Sequence, residues 1–328
     1  MSTIKKLTLK LKSGLLSELH SDTVMGHFCW RLRDYFGDDK KVTEFISLYQ
    51  KSDSKPPFTI SNVLLEKNGE LFYPKPFLHI KESEIKAEGK KDKIVEFLLN
   101  KELKSVELLT TDQFNLAING RVQELYNSLI NDKLERPKFV NDLKVSVEID
   151  RDSFSARDGQ LFSYHPKFLD DNTRVVFLIK VLNEKSFDDF RCGDILKNVF
   201  EIGFGKKKSS GYGQFEVIGD LKLYEKIKKP QNSNAFITLG NYLPSADDGI
   251  ITECNYDFIV KYGRLSEEKS LSSNPFKKPL ILFTPGSVFK TEKIKEQYGK
   301  VTQSGDISEF DLDAVQFGMP FTLNFKSL

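Results

Sequence analysis

Three observations predict an α+β fold of two ferredoxin-like domains, the first enlarged by an inserted hairpin and helical segment. Strand and helix patterns follow one another as β-α-(insertion)-β-β-α-β between Met1 and Ile218, which is the split βαβ order. A stretch rich in Lys, Asn and Pro, Glu225 to Asn234, then reads as a linker, and shorter strand-like runs follow it. The length, 328 residues, is ample for two cores. The expected boundaries are therefore 1–224 for the first domain, with its insertion at about 55–142 and a glycine-rich loop at 203–213, then a linker at 225–234 and a smaller, more degraded copy at 235–328.

Each element has its own signal. Ile4, Leu7, Leu9 and Leu11 alternate with lysines and a threonine, giving a first strand with one apolar and one basic side. Val24, Phe28, Leu32 and Phe36 recur every fourth residue, Ser21 or Asp22 is placed to cap the start, and Gly37 can close the end, so this stretch is an amphipathic helix. Gly26 within it costs about 1 kcal/mol relative to Ala, which implies a second backbone close by. Phe58 to Tyr73 holds two strand-like runs around Lys67-Asn68-Gly69, and Asn-Gly favours the tight turn of a hairpin. From Lys81 to Arg136 the chain is charged, with helical spacing at Ile94 to Leu99 and Val122 to Ile130, and reads as a projecting insertion. Val145 to Asp150 and Arg174 to Leu182 are the second and third strands of the domain. Phe187 to Ile202 is its second helix, with Gly203 as a left-handed cap, and Gln214 to Ile218 is its fourth strand. Beyond the linker, Ala235 to Leu239, Tyr256 to Val260, Leu280 to Phe283 and Phe321 to Phe325 are strand-like.

The charged fraction, 29%, is high beside a hydrophobic fraction of 39%, yet the net charge is only +2. A chain gripping nucleic acid by bulk charge would be more basic, so any such contact must come from a local patch. Cys29, Cys192 and Cys254 lie far apart beside apolar neighbours and read as buried reduced thiols, with no zinc-like spacing. The N-terminus lacks the apolar core of a signal peptide and no run approaches a membrane span, so a cytoplasmic protein without membrane contact is expected.

The strongest local signal is Gly203-Phe204-Gly205-Lys206-Lys207-Lys208-Ser209-Ser210-Gly211-Tyr212-Gly213. Glycines admit close backbone approach, and successive amides with lysines beside them form an anion-binding concavity. The plain alternative is a surface turn whose lysines are merely solvated. A Walker loop would need Gly-Lys-Ser/Thr running from strand into helix, and a dinucleotide fingerprint opens a helix rather than closing one. Neither fits, so ATP and NAD are poor candidates and no cofactor is expected. Paired carboxylates such as Asp38-Asp39 and Asp247-Asp248 suit capping and solvation, and no metal is expected.

The Leu-His-Ser-Asp-Thr segment leading into a Phe-Cys-Trp helix, the Ile149-Asp150-Arg151 strand end with Asp158-Gly159-Gln160-Leu161-Phe162 downstream, and the Gly203 to Gly213 loop together resemble the RAMP superfamily. Within it they are most similar to the fourth Csm subunit of type III-A CRISPR effector complexes. The resemblance implies two ferredoxin-like domains of the RNA-recognition type and a non-catalytic subunit that holds the 5′ repeat-derived tag of the guide RNA. It also implies docking against the large cyclase-like palm subunit, contact with the backbone RAMP subunit, and a projecting thumb, for which the Phe58 to Pro76 hairpin or the insertion after it is the candidate.

On this reading the RNA-binding residues are His20, Ser21, Arg151, Arg157 and the loop residues Gly203, Gly205, Lys206, Lys207, Lys208, Ser209, Ser210, Gly211, Tyr212 and Gly213. Tyr212, held between glycines, is the better stacking candidate, with Phe154 and Tyr164 behind it. For each there is a plainer role: Ser21 and Asp22 as helix caps, and Arg151 paired with Asp152 or Asp158. The rival function is a metal-independent endoribonuclease that matures guide RNA, with His20 as general acid or base. Against it, the sequence offers His20 no recognisable Tyr or Lys partner.

Overall fold

The computed structural model describes residues 2–51, 54–78, 105–130, 132–265, 267–271, 274–308, 311 and 313–327. The helical stretch expected at Ile94 to Leu99 lies outside them.

The first part of the chain builds β1 (Thr3–Leu11), α1 (Ser21–Phe36), α2 (Asp39–Gln50), β2 (Phe58–Ile60), β3 (Leu64–Lys67), β4 (Glu70–Pro74) and β5 (Leu108–Thr110). Helices α3 (Thr111–Ile118) and α4 (Val122–Ile130) lead to β6 (Val140–Asn141), β7 (Lys144–Ile149), β8 (Ala156–Tyr164) and β9 (Lys167–Phe168). Then come β10 (Thr173–Val181), α5 (Glu184–Asp189), α6 (Cys192–Glu201), β11 (Phe215–Val217) and β12 (Lys222–Leu223). The remainder is mostly strands: β13 (Ala235–Thr238), β14 (Ile250–Asn255), β15 (Phe258–Lys261), β16 (Leu280–Phe283), β17 (Val288–Thr291), β18 (Val301–Gln303), β19 (Val315–Phe317) and β20 (Thr322–Phe325).

The fold is α+β, as expected. Its main sheet is antiparallel in the order β11-β1-β10-β3-β4-β5. The Asn68-Gly69 turn joins β3 to β4 with both residues at positive φ, 53° and 81°, as the sequence predicts. That hairpin is not a thumb, because it lies inside the sheet. The second strand of the first half is also not Val145 to Asp150; it is β3, paired with β10 from Thr173↔Lys67 to Val176↔Leu64. The reason is burial. Leu64 and Leu65 are both covered, whereas every residue of β7 except Ser146 is exposed.

β10 explains why Arg174 to Leu182 reads as continuously apolar rather than alternating. Val175, Phe177 and Ile179 face α1 and α6, in a core with Phe28, Leu32 and Phe200. Val176 and Leu178 face the other way and pack with Ile237, Phe321 and Leu323 of the second half. A strand buried on both faces needs apolar residues at both parities. Lys180 interrupts the second face, and its Nζ donates to the carbonyls of Glu296 (2.6 Å) and Thr322 (3.2 Å). Burial brings its pKa down to about 8.

The second half holds a four-stranded antiparallel sheet in the order β14-β17-β13-β20. Taken alone, the four strands β11-β1-β10-β3 of the main sheet follow the order fourth, first, third, second by sequence, and the four strands of the second-half sheet follow the same order. The strands expected at Tyr256 to Val260 and Leu280 to Phe283 are not in this sheet. They pair with each other as a separate ribbon, β15–β16, and the vacated places belong to β14 and β17. Among the described residues the second half has short 3-10 turns and no α-helix.

Candidate nucleic-acid interface

The glycine loop starts where α6 stops. Ile202 closes the helix, and Gly203 follows at φ +86°, the expected left-handed cap. Phe204 then turns inward. It is fully buried, stacks on Phe200 at 5.5 Å and packs 4.7 Å from the His27 ring of α1. Its amide donates to the Gly213 carbonyl (2.8 Å), which closes the neck of the loop. A Cβ on Gly213 would lie 2.0 Å from the Phe204 oxygen, so only glycine fits.

The loop is seated on the chain between β1 and α1. Gly213 N–H donates to the Gly14 carbonyl (2.9 Å), Gln214 N–H to Ser13 Oγ (3.0 Å) and Lys206 N–H to Ser17 Oγ (2.8 Å). A Cβ on Gly205 would come within 2.3 Å of Ser17 Oγ. Two of the four glycines therefore serve the loop's own seating. The outer residues Lys206, Lys207, Ser209, Ser210 and Gly211 remain exposed, with Lys208 half-buried.

His20 stands three residues beyond Ser17, as the residue preceding the first turn of α1, with no side-chain cap. It is half-buried. Burial lowers its pKa, Lys261 adds to the effect, and Asp22 opposes it. Ser21 and Asp22 are neither caps nor surface groups. Ser21 is buried, its Oγ accepting from Asn241 N–H (3.0 Å) and its own amide donating to Asn62 Oδ1 (2.8 Å). This removes Ser21 from the RNA-binding set. The Asp22 carboxylate accepts from Asn241 Nδ2 (2.9 Å), Lys261 Nζ (2.5 Å) and Gln316 Nε2 (2.7 Å). Burial pushes its carboxyl up, but Lys261 and the hydrogen bonds from Lys261 and Gln316 more than offset this, leaving it below the usual range.

On the other flank rises the β7–β8 hairpin, most of whose large apolar side chains are exposed. Its base touches the loop. Tyr164 and Tyr212 meet edge to face at 5.7 Å with hydroxyls 3.4 Å apart. Lys207 Nζ lies 4.0 Å from the Tyr164 ring and 5.2 Å from Phe162, and Lys144 Nζ is 5.7 Å from Tyr212. Pairing sets the two faces. Lys144↔Tyr164 and Ser146↔Phe162 share the face toward the loop, while Val145↔Ser163 and Val147↔Leu161 share the face turned away.

Arg151 sits at the tip of this hairpin, where Asp150 Oδ1 accepts from the amides of Asp152 and Ser153 and Phe154 takes φ +52°. It is thus roughly 20 Å along the ribbon from the loop and not beside His20. Arg157, in β8, belongs to the same distal half. The structure therefore joins the glycine loop to the His20 segment and to Tyr164, and separates Arg151 and Arg157 from them. The sequence reading missed Phe162, Lys144 and Lys261. Phe162-x-Tyr164 spacing, which puts two rings on one strand face, was a usable signal for the first; Lys261 had none. Among the described residues no three or more His, Cys, Asp or Glu side chains are grouped to hold a metal ion, and no helix is long and apolar enough to cross a membrane.

No protein-family model and no curated protein matches the chain. Solved structures do. A chain of a Csm1-Csm4 cassette in complex with pppApA aligns with a TM-score of 0.61 at 15% identity, covering 100% of this chain and 99% of that chain. A Csm1-Csm4 cassette in complex with cA4 gives a TM-score of 0.61 at 15% identity, covering 99% of each chain. A Csm3-Csm4 subcomplex of the type III-A CRISPR-Cas interference complex gives 0.60 at 17% identity, covering 99% of this chain and 100% of that chain.

Proposed function

From the fold it shares along its whole length with the Csm4 chains of those complexes, we propose that this protein is a non-catalytic, RNA-binding subunit of a type III-A effector complex. It holds the 5′ repeat-derived tag of the guide RNA, anchors the large cyclase-like palm subunit and contacts a backbone RAMP subunit. Both halves are ferredoxin-like in this reading, which the order shared by strands β11-β1-β10-β3 and the second-half sheet supports, and β7–β8 is the thumb.

The observation that carries the proposal is the loop at 203–213, exposed at Lys206 and Lys207 and fastened at its neck between the His20 segment and the hairpin. Its main chain and Lys206, Lys207 and Lys208 neutralise phosphates of a single strand. Each neutralised phosphate contributes about 0.7 to the slope of log affinity against log salt. Replacing the three lysines with Gln should flatten that slope by about 2, and an unchanged slope removes the loop from the site. Full-length protein should also co-purify with Csm1-type and Csm3-type chains and a guide RNA. Incubation with repeat-bearing RNA in EDTA should leave the RNA intact; cleavage abolished by His20→Ala would establish the endoribonuclease instead.

A further inference from the structure

The aromatic face of the hairpin base has a geometry that phosphate binding alone does not use. Phe162 and Tyr164 lie two residues apart on one face of β8, ring centroids 6.3 Å apart and planes inclined by only 23°, so the two rings are nearly parallel. Phe162 is 46% exposed. Lys207 reaches out of the loop and rests over both rings, and Lys144 stands on the same face as Tyr164. The reverse face of the ribbon base presents Val145, Val147 and Leu161, all exposed, beside Ser163, and none of these offers a π-face. The two faces thus present different chemistry, and only the one toward the loop suits a nucleobase.

We propose that Phe162 and Tyr164 form a stacking platform for one unpaired nucleobase, covered in the free protein by Lys207. The inference rests on the RNA-binding reading above and adds to it a site and a mode of opening. A cation over an exposed ring is held weakly, whereas a phosphate offers Lys207 a full opposite charge. A strand arriving at the loop draws the ammonium onto its backbone and leaves the rings to the adjacent base, which any of the four bases can satisfy. Tyr212, edge-on to Tyr164, fixes the platform's angle rather than stacking itself.

The test uses the full chain and a short oligouridylate carrying 5-iodouridine. Photocrosslinks should map to Phe162 or Tyr164. Phe162→Leu and Tyr164→Leu should each weaken binding about tenfold with the salt slope unchanged. Tyr164→Phe, which keeps the ring and loses the hydroxyl contact with Tyr212, should bind like wild type. Lys207→Gln should lower the slope by about 0.7 and keep the crosslink. Should both leucine variants bind normally while Lys206→Gln still lowers the slope, the platform is refuted and the phosphate loop stands. Equal losses in Tyr164→Phe and Tyr164→Leu would assign the effect to the tyrosine pair and overturn stacking. A chain that binds no oligomer at any salt overturns both proposals.

Discussion

At the scale of single residues, the glycines separate into those the fold demands and those it tolerates. Gly213→Ala drives a methyl into the Phe204 carbonyl at φ +61°, and should cost about 3 kcal/mol or more from overpacking and left-handed strain together. Gly211 is also left-handed, φ +85°, but has nothing within 4 Å of a Cβ. Its Ala variant should lose only about 1 kcal/mol, and denaturant midpoints would separate the two. Gly26 goes the other way. No neighbour lies within 4 Å of its Cβ position, contrary to the close backbone inferred from its helical setting. Gly26→Ala should therefore raise stability, by up to about 1 kcal/mol. Glycine position was legible in the sequence, and glycine purpose only in part, because loop seating and ligand approach leave the same signature. Ser21 shows the same limit: a hydroxyl before a helix reads as a cap, and nothing local reveals that Asn241, 220 residues away, is its partner.

At the scale of elements, the start of α1 is bolted to the second half through Asp22. Asp22→Asn should destabilise by about 3 kcal/mol, since it leaves Lys261 without its counter-charge in a mostly covered site. The sign of the pH effect follows from the depressed carboxyl. Its stabilisation is complete above the unfolded carboxylate pKa, near 3.8, and disappears as pH falls through the lower folded value. Wild type should thus lose stability in that acid window, and the Asn variant should lack that component. The β7–β8 hairpin behaves differently, since none of its residues belongs to the core clusters. Replacing 145–163 with a short Gly-Ser turn should leave the thermal midpoint within a few degrees while reducing RNA affinity. Periodicity identified α1, β10, the β3–β4 hairpin and the loop after α6. It could not rank Val145 to Asp150 against Leu64 to Lys67 for a place in the sheet, because alternation reports a strand and not its neighbours.

At the scale of the whole molecule, the two sheets meet across the rear of β10, and that packing was invisible to a reading that joined the halves by a linker alone. Fragment 1–224 made by itself would leave Val176 and Leu178 without Ile237, Phe321 and Leu323. It should aggregate or bind a hydrophobic dye, and co-expression with 225–328 should restore solubility; a soluble fragment with a cooperative melt would refute this. The same arrangement has a bearing on biosynthesis. Translation proceeds N-terminus first at about 5–20 residues per second, so a nascent chain whose first sheet has already emerged carries an oily flank for roughly 5–20 s before β20, the strand that shields it, leaves the ribosome.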